Sequence, residues 1–233
     1  MKYFLVTGVS SGIGEELCKK ILEENIENFV IGLSRNQPDS SIIDKHRNRF
    51  KFFSVDFNLP QTIEQIFTDT FFQHLSCIDF VVCNAGSLIN KPFSEISLIE
   101  LQSIYNVNVF SQFLIMQKCI PFLAKSQYAS IVTIGSVGGI TQSKKFPGLT
   151  AYSSSKGALS ILTECLAEEF EGSNISFNCL ALGSVNTKML RQAFPDYISK
   201  TSTSEIAAFI FDFLTSRKKL FNGKTINVST INT

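Results

Sequence analysis

Short runs of β-forming apolar residues alternate with segments of helical periodicity along the chain, and this alternation constrains its fold more than any other feature. The runs fall at residues 2–7, 29–33, 50–55, 78–84, 130–134, 175–181 and 225–228. Most are continuous and short, the form of strands buried on both faces. After the first run, Ile13, Leu17, Cys18, Ile21 and Leu22 share a helical face, set among Glu15, Glu16, Lys19 and Lys20. Further helices are predicted over 61–72, 98–122, 154–170 and 204–214. Strands joined by helices return parallel through right-handed crossovers. The pattern therefore predicts an α/β chain whose seven-stranded, mostly parallel sheet carries helices on both faces. With 233 residues, 44% of them hydrophobic, and no linker or repeat, the chain is expected to form a single domain over 1–233.

Open sheets of this kind bind ligands beyond the carboxyl ends of their strands. The first run ends in Thr7-Gly8-Val9-Ser10-Ser11-Gly12-Ile13-Gly14 and passes directly into the first helix. Glycines there permit positive φ and leave no Cβ in the way, so N–H groups at the positive helix end can approach a pyrophosphate. The spacing is T-G-x-x-x-G-x-G, and its bland alternative is a turn and nothing more. The second run ends at Gly32-Leu33-Ser34-Arg35, where a dinucleotide site usually places a carboxylate for the adenosine ribose. An acid would repel a 2′-phosphate, whereas Arg35 can pair with one, which favours NADP(H) over NAD(H). Stacking of Arg35 on adenine is the alternative. Asp56, followed by Phe57, can accept a hydrogen bond from the adenine amino group, and Asn84-Ala85-Gly86 closes the fourth run beside the expected ribose.

Tyr152 and Lys156 stand four residues apart in Ala151-Tyr152-Ser153-Ser154-Ser155-Lys156-Gly157. On a helix that spacing brings a phenol and an ammonium to roughly 5–6 Å on one face. A cation at that range favours the phenolate and so prepares the phenol for proton exchange with an alcohol or carbonyl.

Composition excludes several other functions. A formal net charge of +1 with scattered Lys and Arg lacks the basic excess of a nucleic-acid binder. The apolar stretch from Tyr3 to Val6 is too short for a signal-peptide core, and no run is long enough to span a membrane, so a soluble cytoplasmic protein is expected. Cys18, Cys77, Cys83, Cys119, Cys165 and Cys179 form no C-x-x-C pair, and the histidines are His46 and His74, which predicts neither a metal site nor disulfides.

Together the glycine motif from Thr7 to Gly14, Asn84-Ala85-Gly86, Ser136 after Ile131-Val132-Thr133-Ile134-Gly135, and Tyr152-x-x-x-Lys156 resemble the short-chain dehydrogenase/reductase superfamily in its compact, 3-oxoacyl-reductase-like branch. The resemblance covers nearly the whole chain and implies a Rossmann-type domain. It implies Tyr152 as general acid or base, Lys156 lowering its pKa and holding the nicotinamide ribose, and Ser136 bonding the substrate oxygen. Asn108 in Tyr105-Asn106-Val107-Asn108-Val109 matches the family's asparagine that holds a proton-relay water. The cofactor set becomes Thr7, Gly8, Ser10, Ser11, Gly12, Ile13, Gly14, Ser34, Arg35, Asp56, Phe57, Asn84, Ala85, Gly86, Tyr152, Lys156, Val185 and Thr187, with a helix cap as the alternative for Thr187.

Some features depart from the family pattern. Leu182-Gly183 stands where Pro-Gly is usual, and Ser143-Lys144-Lys145 lengthens the approach to Tyr152. Those lysines either attract an anionic acyl carrier or solvate a loop. The segment from Gly223 to Thr230 lacks the family's glycine pair. The expected activity is NADPH-dependent reduction of a ketone, 3-oxoacyl-like or another small carbonyl, by a homodimer or homotetramer. The alternatives are a keto-sugar or nucleotide-sugar reductase, and a dinucleotide-binding sensor without catalysis.

Overall fold

The computed structural model describes residues 1–216 and 220–229; the end of the 223–230 segment, Thr230, lies outside the described residues. Strands β1 (Lys2–Thr7), β2 (Asn28–Ser34), β3 (Phe50–Ser54), β4 (Phe80–Cys83), β5 (Ser130–Ser136), β6 (Ser176–Leu182) and β7 (Lys224–Val228) form one sheet in the order β3-β2-β1-β4-β5-β6-β7. All six pairings are parallel. The order turns back at β1, which lies between β2 and β4, so a crevice opens beyond the carboxyl ends of β1 and β4.

Alternation along each strand feeds two cores. Phe4, Val6, Val30, Phe80, Val82, Val132 and Leu180 face α1 (Gly12–Glu24) and α9 (Thr203–Thr215), meeting Leu17, Ile21, Ile206, Ile210 and Phe211. Leu5, Ile31, Leu33, Val81, Cys83, Ile131 and Phe177 face the opposite layer, where Ile115, Met116, Cys119 and Leu159 pack against them. The abundant phenylalanines serve this packing. Phe4 lies 4.6 Å from Phe80 and 6.1 Å from Phe211, and Phe29, Phe53, Phe67, Phe71, Phe72 and Phe122 form a second aromatic group. A fully buried ring such as Phe4 or Phe80 stabilises the fold by roughly 1.5–3 kcal/mol, and the partly buried Phe29, Phe53, Phe67, Phe71 and Phe122 contribute less.

The predicted helix over 61–72 is broken. A 3-10 turn at Pro60–Thr62 leads into α3 (Ile63–Ile66), and α4 (Thr70–His74) starts afresh. The Thr68 hydroxyl bonds back to Gln65 O (2.7 Å), and the Asp69 carboxylate accepts from Phe71 N (2.8 Å), capping the second piece. Short polar side chains compete with the helical pattern in this way. The predicted helix over 98–122 runs as α5 (Leu98–Tyr105), a π turn (Asn106–Phe110) and α6 (Ser111–Leu123). Helix α7 (Thr150–Glu169) begins four residues earlier than the periodicity suggests. Two short helices add to the expected set: α2 (Ser40–Lys45), capped by Asp39, and α8 (Lys188–Ala193), capped by Thr187. Among the described residues no helix is long and apolar enough to cross a membrane.

Candidate active site

At the carboxyl end of β1 the chain turns sharply, with Gly8 at φ +74° and Gly12 at φ +66°. The turn is fastened from β4. Buried Thr7 accepts through Oγ1 from Asn84 N (2.9 Å) and Ala85 N (2.8 Å), while Asn84 Nδ2 donates to Thr7 O (2.9 Å) and Gly8 O (3.2 Å). The side chains of Thr7 and Asn84 thus shape the turn. A Cβ on Gly14 would stand 2.2 Å from Gly8 O and 2.6 Å from Asn84 Nδ2, so the helix end and the turn touch backbone to backbone. Ser11 occupies the N-cap of α1 in extended conformation and makes no side-chain capping bond, leaving the first N–H groups of the helix open toward the crevice. Ser10 is half-buried beside it, whereas Ile13 turns into the core with Val9 and Val185.

At the ends of β2 and β3, Arg35 is exposed and forms no ion pair among the described residues, and its carbonyl accepts from Ser54 Oγ (3.1 Å). Ser34 is buried and donates to Asn36 O (2.6 Å). The half-buried Asp56 closes its own turn by accepting from Asn58 N (3.0 Å), and the Phe57 ring joins the core while its carbonyl accepts from Ser111 Oγ (2.7 Å). Across the crevice, the Thr187 methyl lies 3.6 Å from where a Cβ on Gly12 would sit, and Thr187 Oγ1 accepts from Leu190 N (3.1 Å). Thr187 is therefore both a helix cap and a neighbour of the glycine turn.

Ser136 ends β5, Tyr152 and Lys156 lie in the first two turns of α7, and Asn108 sits in the π turn. A 3-10 turn, Val137–Gly139, connects β5 to the loop before α7, and Gly139 presses against α7: a Cβ there would stand 2.8 Å from Gly157 N. This close approach keeps Ser136 beside Tyr152. Ser136 Oγ accepts from Gly138 N (3.2 Å), which leaves its own proton free to donate. Burial pushes the Tyr152 phenol above its ordinary value, offset in part by the bond to Ser136. Lys156 is buried, donates to Ile134 O (2.7 Å), and has its pKa brought down by burial to about 8. Its Nζ is 6.0 Å from the centre of the Tyr152 ring. The lowering of the phenol pKa expected from Lys156 does not enter here: burial raises the phenol, and the group that lowers it is Ser136.

Asn108 is fully buried, both amide N–H groups are used, and its oxygen accepts one bond. Oδ1 accepts from Ser87 N (2.7 Å), and Nδ2 donates to Ser87 O (2.9 Å) and Ser155 Oγ (2.9 Å). Ser155 in turn donates to Tyr152 O (2.7 Å). Gly86 lies between these groups, where a Cβ would stand 3.4 Å from Lys156 Nζ and 3.5 Å from Asn108 Oδ1. Ser87, Gly139, Ser155 and Gly157 were not singled out by the sequence; for Ser155 the available signal is its place one residue before Lys156, on the helical turn that follows Tyr152. Lys145 bonds Ile140 O and Ser143 Oγ, and Lys144 lies over the Phe146 ring at 5.7 Å. Cys18 and Cys83 have thiols pushed up by burial, Cys83 to about 12, and among the described residues no cluster of metal-ligating groups occurs.

Sheets wound in this order take dinucleotides at the switch between β1 and β4, and a phenol beside a buried amine at that point is equipped to exchange protons with an alcohol or carbonyl. The class so defined is that of the nicotinamide-dependent oxidoreductases. The sequence pattern of the short chain dehydrogenases matches residues 2–198, and the chain belongs to that family as an NAD(P)-dependent oxidoreductase. It is 28% identical to benzil reductase ((S)-benzoin forming) of Saccharomyces cerevisiae, over 81% of this chain and 73% of that protein. It is 26% identical to the 3-oxoacyl-acyl-carrier-protein reductase of Aquifex aeolicus, over 98% of this chain and 96% of that one. A short chain dehydrogenase of Escherichia coli CFT073, solved with NADPH, superposes with a TM-score of 0.86 at 26% identity, over 97% of this chain and 95% of that one.

Proposed function

We propose that the protein reduces a ketone to a secondary alcohol with NADPH, Tyr152 delivering the proton. The observation that carries this reading is the convergence of a buried Tyr152 phenol, bonded to the Ser136 hydroxyl, with the Lys156 ammonium 6.0 Å from the ring centre; burial raises the phenol pKa. A phenol that holds its proton at neutral pH suits the donor role needed in reduction. The glycine turn fits a dinucleotide: its positive-φ glycines leave a cradle that a Cβ would fill, and the open end of α1 faces it. Gly8, Ser10, Ser11, Gly12 and Gly14 would hold the pyrophosphate, with Ile13 supporting them from the core. Arg35 and Ser34 would meet the 2′-phosphate, and Asp56 and Phe57 would border the adenine. Asn84, Ala85, Gly86 and Lys156 would border the nicotinamide ribose, and Val185 and Thr187 the nicotinamide side. When bound, the reduced nicotinamide supplies the hydride to the carbonyl carbon.

The rest belongs to this chain. As charge develops on the carbonyl oxygen, Ser136 and Tyr152 donate to it, and the Tyr152 proton transfers to complete the alcohol. Lys156, with a pKa of about 8, is placed to return a proton towards the phenolate. The Asn108 amide donors are committed to Ser87 and Ser155, so a relay water would fall to its main-chain carbonyl, in a π turn where the regular bonding pattern is interrupted. Exposed Leu98, Ile99, Phe110, Phe113 and Ile161 on α5 to α7 support a homodimer through these helices. Light scattering that finds only monomer at micromolar concentration would refute the dimer.

The test of the reaction is direct. Purified protein should oxidise NADPH in the presence of some member of a ketone panel, and Tyr152→Phe should lose turnover while keeping its affinity for NADPH. Full activity in that variant sinks the mechanism.

A further inference from the structure

Helix α8 roofs the space between the glycine turn and the start of α7. Its N-cap, Thr187, lies over Gly12, and its last residue, Ala193, reaches the loop after Gly86. No residue of α8 is buried. The segment around it is closed on itself: Asn186 N donates to Thr201 O (2.9 Å), Arg191 to Asn186 Oδ1 (2.5 Å), Tyr197 OH pairs with Ser184 Oγ (2.9 Å), and Ser199 Oγ donates to Ser184 O (2.7 Å). Among the described residues, one hydrogen bond ties 188–198 to anything outside 184–202, from Asn90 Nδ2 to Ala193 O (2.8 Å).

Asn90 is exposed, and it packs on the chain behind it. Its Oδ1 packs on Gly148 so closely that a Cβ there would overlap it, and Gly148 holds φ +83° two residues before α7 begins. The neighbouring Lys91 donates from its backbone to Gly148 O (3.0 Å), and its ammonium pairs with Glu100 (3.0 Å), the residue that completes the capping box of α5. A side chain packed on the entry of α7, whose chain neighbour Lys91 is tied to α5, thus holds the free end of α8.

Resting on the ketone-reductase reading, we propose that Asn90 is a positioning residue that latches α8 over the substrate and sets how wide a ketone the site accepts. It touches neither the reacting atoms nor the glycine turn. Its loss therefore weakens substrate retention and leaves the proton-transfer groups in place. A neutral hydrogen bond of this kind contributes about 1 kcal/mol, roughly a fivefold effect on binding.

The test uses Asn90→Asp, which keeps the size of the side chain and its contact with Gly148 but cannot donate to Ala193 O. KM for a small ketone should rise roughly fivefold with kcat unchanged, and the penalty should shrink or reverse for a bulkier ketone. Backbone hydrogen exchange over 188–198 should accelerate by a similar factor in the variant, with exchange in α7 unaltered. Unchanged exchange at 188–198, or a fall in kcat at constant KM, overturns the proposal. Hydrogen exchange needs no turnover, so it tests the latch even if the wild-type protein reduces no ketone in the panel; that outcome would count against the reductase reading alone.

Discussion

Replacing Lys156 by methionine should stabilise the fold at neutral pH while abolishing turnover. Lys156 is 4% exposed, and burial lowers its pKa from 10.5 to about 8. A depressed lysine pKa means that the folded state resists the charged form. Below about pH 8 both folded and unfolded chains carry the charge, and the full penalty applies. Between 8 and 10.5 the folded protein gives up its proton first, so stability rises with pH, and above 10.5 the penalty is gone. At about 1.4 kcal/mol for each tenfold in acidity, the fall amounts to roughly 3 kcal/mol. Lys156→Met removes the charge at similar volume, so its stability advantage over wild type should shrink by roughly this amount from pH 7 to pH 10.5. The bond to Ile134 O is lost at every pH, which offsets the curve by about 1 kcal/mol without giving it a slope. Buried thiols titrate with the opposite sign; Cys83, whose pKa is raised to about 12 by burial and held down in part by Lys156, stays protonated in both folded proteins up to pH 10.5 and so adds no slope to the difference within this window. Urea unfolding at pH 7, 8, 9 and 10 reads that difference. A flat difference across the window, or a methionine variant that gains on wild type as pH rises, refutes the reasoning.

Arg35→Ala should lower the ratio of NADPH to NADH affinity by about 10- to 100-fold, the worth of a charge-assisted phosphate contact, with NADH binding little changed; an unchanged ratio in fluorescence titration removes the role given to Arg35. Gly14→Ala places a methyl group 2.2 Å from Gly8 O, so the turn must shift at a cost of about 3 kcal/mol, and cofactor affinity should fall with it. A native melting temperature together with native NADPH affinity would show that the turn has slack.

The strands were legible because their signal is local and repeated. The first run predicted β1 to the residue, and the other six runs overlap their strands within one or two residues at each end. The fourth predicted too long a strand, since residues 78 and 79 lead into β4 and Asn84 already turns under Thr7. The π turn had no local signal. It is drawn by distant partners: Asn106 donates to Asn58 O (3.0 Å), Asn108 to Ser87 O and Ser155, and Ser111 to Phe57 O. The site was legible as a set of residue types at family spacing, which named Ser136, Tyr152, Lys156 and Asn108. What spacing could not convey is commitment. Lys156 bonds Ile134 O, and Asn108 spends its amide on Ser87 and Ser155, both of which depend on how far neighbouring elements stand apart in the fold.

The seating of β1 between β2 and β4 has a consequence for the newborn chain. The Thr7 hydroxyl is satisfied by N–H groups 77 and 78 positions later. Closing so long a loop is slow, and at roughly 5–20 residues per second a ribosome needs several seconds to deliver the partner. In that interval one edge of Phe4, Leu5 and Val6 stands open to any other extended chain. Only the completed sheet presents the dinucleotide cradle, so the cell's nicotinamide pool binds the finished fold and not its precursors. At a hundredfold excess over Kd that selective binding adds about 2.7 kcal/mol. The coenzyme then acts as a folding ligand as well as a reagent, favouring those chains that have closed the sheet over those that have not.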